Sequence, residues 1–279
     1  MSSSSSSTKD QAALVESSKR AAAFQAVADH LLPSYTRIGV GSGSTVVYVV
    51  EAIAALGPSV TDSMTFYPTG AQSEALIEAA NLRLQYINKL APADQLDVAF
   101  DGADEVDADL NLIKGGGACL WQEKVVATAA RNFVCVADFR KLSDRLGKAW
   151  KKGIPIEVLP IAAPRVLGEL RAMGARDPQI RSGLPGKAGA LVTDNGMWII
   201  DAPFAPLRLP SDEGEAAEGE WTVDALADRL IKIPGVAEIG LFSGKNGLEV
   251  ASGAQKPVAA YFGMADGTVE VRKAAAAAS

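Results

Sequence analysis

Apolar positions recur at three- and four-residue spacing through residues 9–32, carried by Leu14, Ala21, Phe24, Ala28 and Leu31, and predict an amphipathic helix. The run Arg37-Ile38-Gly39-Val40 then reads as a short buried strand, followed by a helix over 44–56. Further strands are predicted at 64–67, 84–87, 96–100 and 133–136, with helices over 71–80 and 120–130 between some of them. Such alternation implies an α/β fold, a mostly parallel, doubly wound sheet covered on both faces. In these sheets ligands gather at the carboxyl ends of the strands, where both glycine-rich turns and the first aspartate pair of this chain fall.

The texture changes after Leu146. A strand at 154–158, a helix over 163–173 and a hairpin over 191–200 turning at Asn195-Gly196 point to a smaller α+β unit. Residues 211–220 form an acidic loop, and 221–231 return to helical spacing with Thr222 as the cap and Asp224 in the first turn. Late strands at 236–242 and 268–271 are expected to rejoin the first sheet. The division expected is a disordered serine-rich lead (1–8), a catalytic α/β domain (9–145 plus 240–279), and a smaller α+β domain (146–239) inserted before the final strands.

Composition narrows the function. The chain has 279 residues, 48% hydrophobic and 22% charged, an ordinary balance for a folded protein with a sizeable core. Its net charge of -6 argues against nucleic-acid binding, which needs a basic stripe to replace phosphate counterions. No apolar run reaches the roughly 18 residues of a membrane span. Two cysteines, Cys119 and Cys135, are too few for a disulfide framework and fit a reducing, cytoplasmic setting. His30 is the only histidine, set in the first helical pattern beside apolar residues, and reads as structural. Ser-His-Asp chemistry and multi-histidine metal sites are hard to build from one histidine, so proton transfer falls to Asp, Glu and Lys.

Those residue types concentrate in one stretch. Asp101-Gly102-Ala103-Asp104-Glu105 follows a predicted apolar strand, then come Lys114-Gly115-Gly116-Gly117 and Glu123-Lys124. Acidic residues at a strand end can ligate magnesium, cap a helix, or act as acid and base. The amides of Gly115, Gly116 and Gly117 can face a developing oxyanion, and Glu123 lies on the next helix as a candidate base. Upstream, Gly39-Val40-Gly41-Ser42-Gly43-Ser44-Thr45 lacks the final glycine of a dinucleotide fingerprint and the lysine of a P-loop. It is either a phosphate-holding turn at a helix start or a plain strand-to-helix connection. Lys19 and Lys141 are candidate phosphate contacts or solvated surface lysines.

Taken together these residues resemble the type A ribose-5-phosphate isomerases, over nearly the whole chain beyond the serine lead. The segments Val192-Thr193-Asp194-Asn195-Gly196 and Ile233-Pro234-Gly235-Val236 add to the match. Ser42 stands where many relatives have threonine, which keeps a hydroxyl; the material around 179–189 and 211–220 is longer than in compact bacterial relatives. The resemblance implies interconversion of ribose 5-phosphate and ribulose 5-phosphate in the pentose phosphate pathway, without metal or cofactor. It makes Glu123 the base that shuttles a proton between carbons 1 and 2, and Asp101 the aid to ring opening. By the same resemblance Asp104 and Lys114 match positions that hold the sugar hydroxyls and stabilise the intermediate. Ser42, Gly43, Ser44 and Thr45 match the phosphate turn, with Lys19 and Lys141 as supporting cations. It also implies a homodimer or homotetramer. Two alternatives stand beside it: a coenzyme A transferase-like enzyme, with Glu123 forming a thioester, and a sugar-phosphate sensor that binds without turnover.

Overall fold

The computed structural model of the protein describes residues 4–214, 217 and 219–275. Helix α1 (Ser4–His30) leads to β1 (Arg37–Val40), α2 (Val46–Ala54), the short α3 (Pro58–Thr61), β2 (Thr65–Pro68), α4 (Ala71–Ala79) and β3 (Leu96–Asp101). Next come β4 (Glu105–Val106), β5 (Leu112–Ile113), α5 (Leu120–Ala129), β6 (Ala130–Asp138), β7 (Ile154–Val158) and α6 (Ala163–Ala172). The rest is β8 (Gln179–Ile180), β9 (Trp198–Ala202), α7 (Val223–Ile231), β10 (Val236–Ile239), β11 (Leu241–Phe242), β12 (Ala259–Gly263) and β13 (Val269–Lys273). Contacts divide the chain into two compact units.

The first unit comprises Met1–Gly102, Val125–Leu142 and Lys245–Ser279. Among the described residues its sheet has six strands in the order β13-β12-β6-β3-β1-β2. All neighbours are parallel except β13, which runs antiparallel to β12 at the edge. From β1 the chain moves to β2 on one side and then to β3 on the other. That reversal opens a crevice at the carboxyl ends of β1 and β3, where such sheets take their ligands. Ile38, Val40, Phe66, Val98, Phe100, Val134 and Val136 are buried in one core cluster with Ala22, Ala23, Ala26 and Val27 of α1. Full burial of each of the larger side chains stabilises by about 1.5–3 kcal/mol. His30 stacks edge-on against Tyr261, with centroids 5.6 Å apart, while the Tyr261 hydroxyl donates to Asp29 at 2.8 Å. Burial lowers the His30 pKa, in keeping with a structural histidine.

The second unit comprises Ala103–Lys124 and Ser143–Gly244. It holds an antiparallel sheet ordered β10-β7-β9-β8 and a small antiparallel sheet ordered β11-β5-β4. Val166 and Leu170 of α6 and Leu226 and Leu230 of α7 pack on Ile154, Ile156, Val158 and Ile200. Thr222 caps α7 as its sequence predicts, its hydroxyl accepting from the Ala225 amide at 3.3 Å. The Asn195-Gly196 turn closes with Gly196 N donating to Thr193 O and Thr193 N to Met197 O, both at 2.9 Å.

Several expectations change. Segment 103–124, read with the larger domain, groups with the second unit. Residues 236–242 do not rejoin the first sheet: β10 pairs with β7 and β11 with β5. Gly240 breaks that run, its amide donating to Pro155 O at 2.7 Å and its carbonyl accepting from Lys114 N at 2.8 Å. Residues 84–87 make one bridge, Phe66 to Leu84, rather than a strand. β12 lay unread because two of its five residues are alanines, which carry little strand signal. Helix α1 starts at Ser4, inside the expected disordered lead, since extending a formed helix costs far less than nucleating one. The remainder of that lead, residues 1–3, lies outside the described residues.

Candidate active site

In the first unit the sheet brings the glycine-rich turn and Asp101 together. Gly41 N continues the ladder by donating to Phe100 O at 2.8 Å, which sets the start of the turn against the end of β3. The Asp101 carboxylate then accepts from Ser42 N at 3.1 Å and from Gly102 N at 2.7 Å. Gly41 is required here: a Cβ on it would lie 2.0 Å from Asp101 Oδ1. The Ser42 hydroxyl is 2.8 Å from that of Thr69, and Gly43 N donates to Gln72 Oε1 at 2.8 Å. Thr45 sits at the N-cap of α2, largely buried, without spending its side chain on a cap bond.

Lys19 reaches this turn from α1. Its ammonium is 3.1 Å from Ser44 Oγ and 2.8 Å from Glu16 Oε1, and the residue is only 4% exposed. Hydrogen bonds from Lys19 and then Tyr48 hold the Glu16 carboxyl below its usual range. Lys141 ends the short turn that follows β6, on the same carboxyl edge of the sheet as Asp101. Burial and the Arg140 guanidinium compete at Asp138, and the pKa is lowered on balance. Glu16, Tyr48, Thr69, Gln72 and Arg140 escaped the sequence reading, since isolated polar residues on separate elements carry no spacing signal.

In the second unit, Lys114 directly follows β5 and points its ammonium to within 3.2 Å of Glu123 Oε1 in the first turn of α5. Both residues are nearly buried, at 2% and 5% exposure. The Phe242 ring lies under two cations, its centroid 5.5 Å from Lys114 Nζ and 4.3 Å from Lys124 Nζ. Lys124 donates to Leu241 O at 2.6 Å and pairs with Glu238 at 3.3 Å. Asp104 N donates to Ile113 O at 2.8 Å, and the Asp104 carboxylate accepts from Gly116 N at 2.6 Å. Of the three glycine amides that the sequence offers to an oxyanion, that of Gly116 is turned to Asp104. Glu105, the third acid of the motif, is fully buried and accepts from the amides of Gly147, Lys148 and Ala149 at 2.5–3.0 Å. Its role is to hold that turn.

Chemically, the second unit joins a buried carboxylate, a buried ammonium and a glycine turn beside a second carboxylate. A carboxylate base with a cation at hydrogen-bonding range can accept a carbon-bound proton while charge builds on a neighbouring oxygen. The first unit joins two hydroxyls, a buried lysine and a helix start, an arrangement suited to a phosphate. Among the described residues, no three His, Cys, Asp or Glu side chains gather in a way that could hold a metal ion, and no helix is long and apolar enough to cross a membrane.

Known proteins point the same way. Residues 65–272 match the model of the family described as Ribose 5-phosphate isomerase A (phosphoriboisomerase A). The ribose-5-phosphate isomerase of Mycosarcoma maydis is 46% identical over 263 residues, covering 94% of this chain and 82% of its own. That of Eremothecium gossypii is 45% identical, with 92% of each chain covered. Among solved structures, a D-ribose-5-phosphate isomerase in complex with phospho-erythronic acid superposes with a TM-score of 0.76 at 32% identity, over 93% of this chain and 99% of its own. Ribose 5 phosphate isomerase A from Neisseria gonorrhoeae gives 0.73 at 30% identity, over 94% and 98%. These matches lend no support to the coenzyme A transferase or sensor alternatives. With a family model over residues 65–272 and relatives that span most of its length, this chain belongs to the ribose 5-phosphate isomerase A family of aldose–ketose isomerases.

Proposed function

We propose that Glu123 is the general base through which this chain interconverts D-ribose 5-phosphate and D-ribulose 5-phosphate, without a metal. The observation that carries the reading is the 3.2 Å approach of Lys114 Nζ to Glu123 Oε1, with both groups nearly buried. Asp101 assists ring opening, accepting the proton of the carbon-1 hydroxyl and returning it to the ring oxygen. The Glu123 carboxylate removes the proton from carbon 2, the carbon-1 carbonyl becomes an enediolate oxygen, and Lys114 offsets its charge. Glu123 then delivers its proton to carbon 1, and the carbon-2 hydroxyl proton passes to the oxygen on carbon 1, leaving the ketose. Asp104 holds a sugar hydroxyl, while Ser42, Gly43, Ser44 and Thr45 with Lys19 and Lys141 hold the phosphate. The solved relative in complex with phospho-erythronic acid, a phosphorylated sugar acid, supports a sugar-phosphate ligand in this reading.

The active species in this reading is a cytoplasmic homodimer or homotetramer that binds neither nucleic acid nor membrane: the net charge of -6 speaks against nucleic acid and the two-cysteine composition for a reducing compartment, no helix among the described residues is long and apolar enough to cross a membrane, and the oligomer rests on the family resemblance alone. The test is ribulose 5-phosphate formation from ribose 5-phosphate in excess EDTA, for wild type and Glu123→Gln. Turnover should survive the chelator and fall by about two to four powers of ten in the variant. Equal turnover in both would remove Glu123 from the mechanism.

A further inference from the structure

Arg181 follows β8 and is 14% exposed in its side chain, which is low for an arginine. Its Nη1 donates to two successive carbonyls of the glycine turn, Gly115 O at 2.9 Å and Gly116 O at 3.2 Å. The other side of the guanidinium is locked to Asp201 of β9, with Nε to Oδ2 at 2.8 Å and Nη2 to Oδ1 at 2.5 Å. That fork-to-fork pairing fixes the plane of the guanidinium and hence the direction of Nη1. On the opposite side of the same turn, Gly116 N donates to Asp104 Oδ2.

From this geometry we propose that Arg181, oriented by Asp201, is a positioning residue for the isomerase reaction: it clamps and polarises the two glycine peptides beside the Lys114–Glu123 pair. The inference rests on the mechanistic reading above. A cation on a peptide carbonyl draws charge from the N–H of that same peptide unit, strengthening it as a donor. The Gly115 carbonyl shares its peptide with the Gly116 amide, so Arg181 strengthens the bond that holds Asp104. The Gly116 carbonyl shares its peptide with the Gly117 amide, which becomes a better donor to an enediolate oxygen. Arg181 meets the glycine turn at its backbone carbonyls, and the proposed effect passes through those peptides.

The experiment compares wild type, Arg181→Met, Arg181→Ala, Arg181→Lys, Asp201→Asn and Glu123→Gln by steady-state kinetics and thermal unfolding. Removing a direct oxyanion donor costs roughly 100- to 1,000-fold, so loss of a residue that acts through one should lower kcat about 10- to 100-fold with KM little changed. Arg181→Lys keeps the charge without the fork and should recover only part of the loss. Guanidinium ion added to Arg181→Ala, well below denaturing concentrations, should restore turnover, which a merely structural role would not produce. A kcat for Arg181→Met within about twofold of wild type overturns the proposal, as does a loss that appears only in KM. If Arg181→Met fails to fold, Asp201→Asn decides on the same criterion. Should Glu123→Gln turn over like wild type, the underlying mechanism falls and Arg181 with it; a dead Glu123→Gln beside an unimpaired Arg181→Met overturns the clamp alone.

Discussion

Gly41 and Asp101 compete for one volume: a Cβ on residue 41 would stand 2.0 Å from Asp101 Oδ1 and 2.1 Å from its Cγ. The glycine at the end of β1 is thus the condition for a carboxylate at the end of β3, and the same carboxylate receives the Ser42 amide. Gly41→Ala should displace Asp101 and the Ser42 turn together. The expected result is a loss of about 1–3 kcal/mol in stability with a rise in KM and a fall in kcat. Urea unfolding and steady-state kinetics check both, and a variant with wild-type values would mean the carboxylate relocates at no cost.

The buried pair of Lys114 and Glu123 sets up a second prediction. Lys114→Met removes the ammonium and leaves a carboxylate in a nearly buried position, a change that typically costs about 3–5 kcal/mol. Adding Glu123→Gln removes that charge as well, so the double variant should be more stable than Lys114→Met while remaining inactive. An equal effect of Glu123→Gln in the wild-type and Lys114→Met backgrounds would show that the two groups are not energetically coupled.

Glu105 offers a contrast in the same motif. Its carboxylate accepts three amides, from Gly147, Lys148 and Ala149, and no solvent reaches it. Glu105→Ala should leave those amides without their acceptor and cost on the order of 3 kcal/mol, with the activity of the remaining folded fraction retained. Thermal unfolding alongside activity per folded molecule separates the two effects.

Lys124 introduces a pH dependence. Burial lowers its pKa below the ordinary lysine value of 10.5, with Glu238 pulling the other way. The folded chain therefore releases this proton before the unfolded chain does, and between the two values the unfolded chain binds more protons. Stability contributed through Lys124 rises as pH climbs from the lowered folded value toward 10.5 and is lowest beneath that window. Lys124→Met should flatten the rise. Urea midpoints measured from neutral to alkaline pH would reveal it, and parallel curves for variant and wild type would contradict it.

Local chemistry accounts for the elements that could be read along the chain. Period-two and period-3.6 patterning marked β3, β7, α4, α6 and α7 to within a residue or two, because burying one face imposes that spacing. The order Asp101, Asp104, Lys114, Glu123 was legible because acid–base chemistry with one histidine leaves few residue types to supply it. The tertiary structure alone decided the rest. Nothing near Val236 says that β10 will join β7 and β11 will join β5, since antiparallel partners far apart in the chain are chosen by register and packing. Nothing near Glu105 says that its carboxylate will cap residues 147–149. Arg181 likewise lies 65 positions from Gly116 in the chain, and only the folding of β8 against β9 beside Asp201 carries its guanidinium to that glycine's carbonyl.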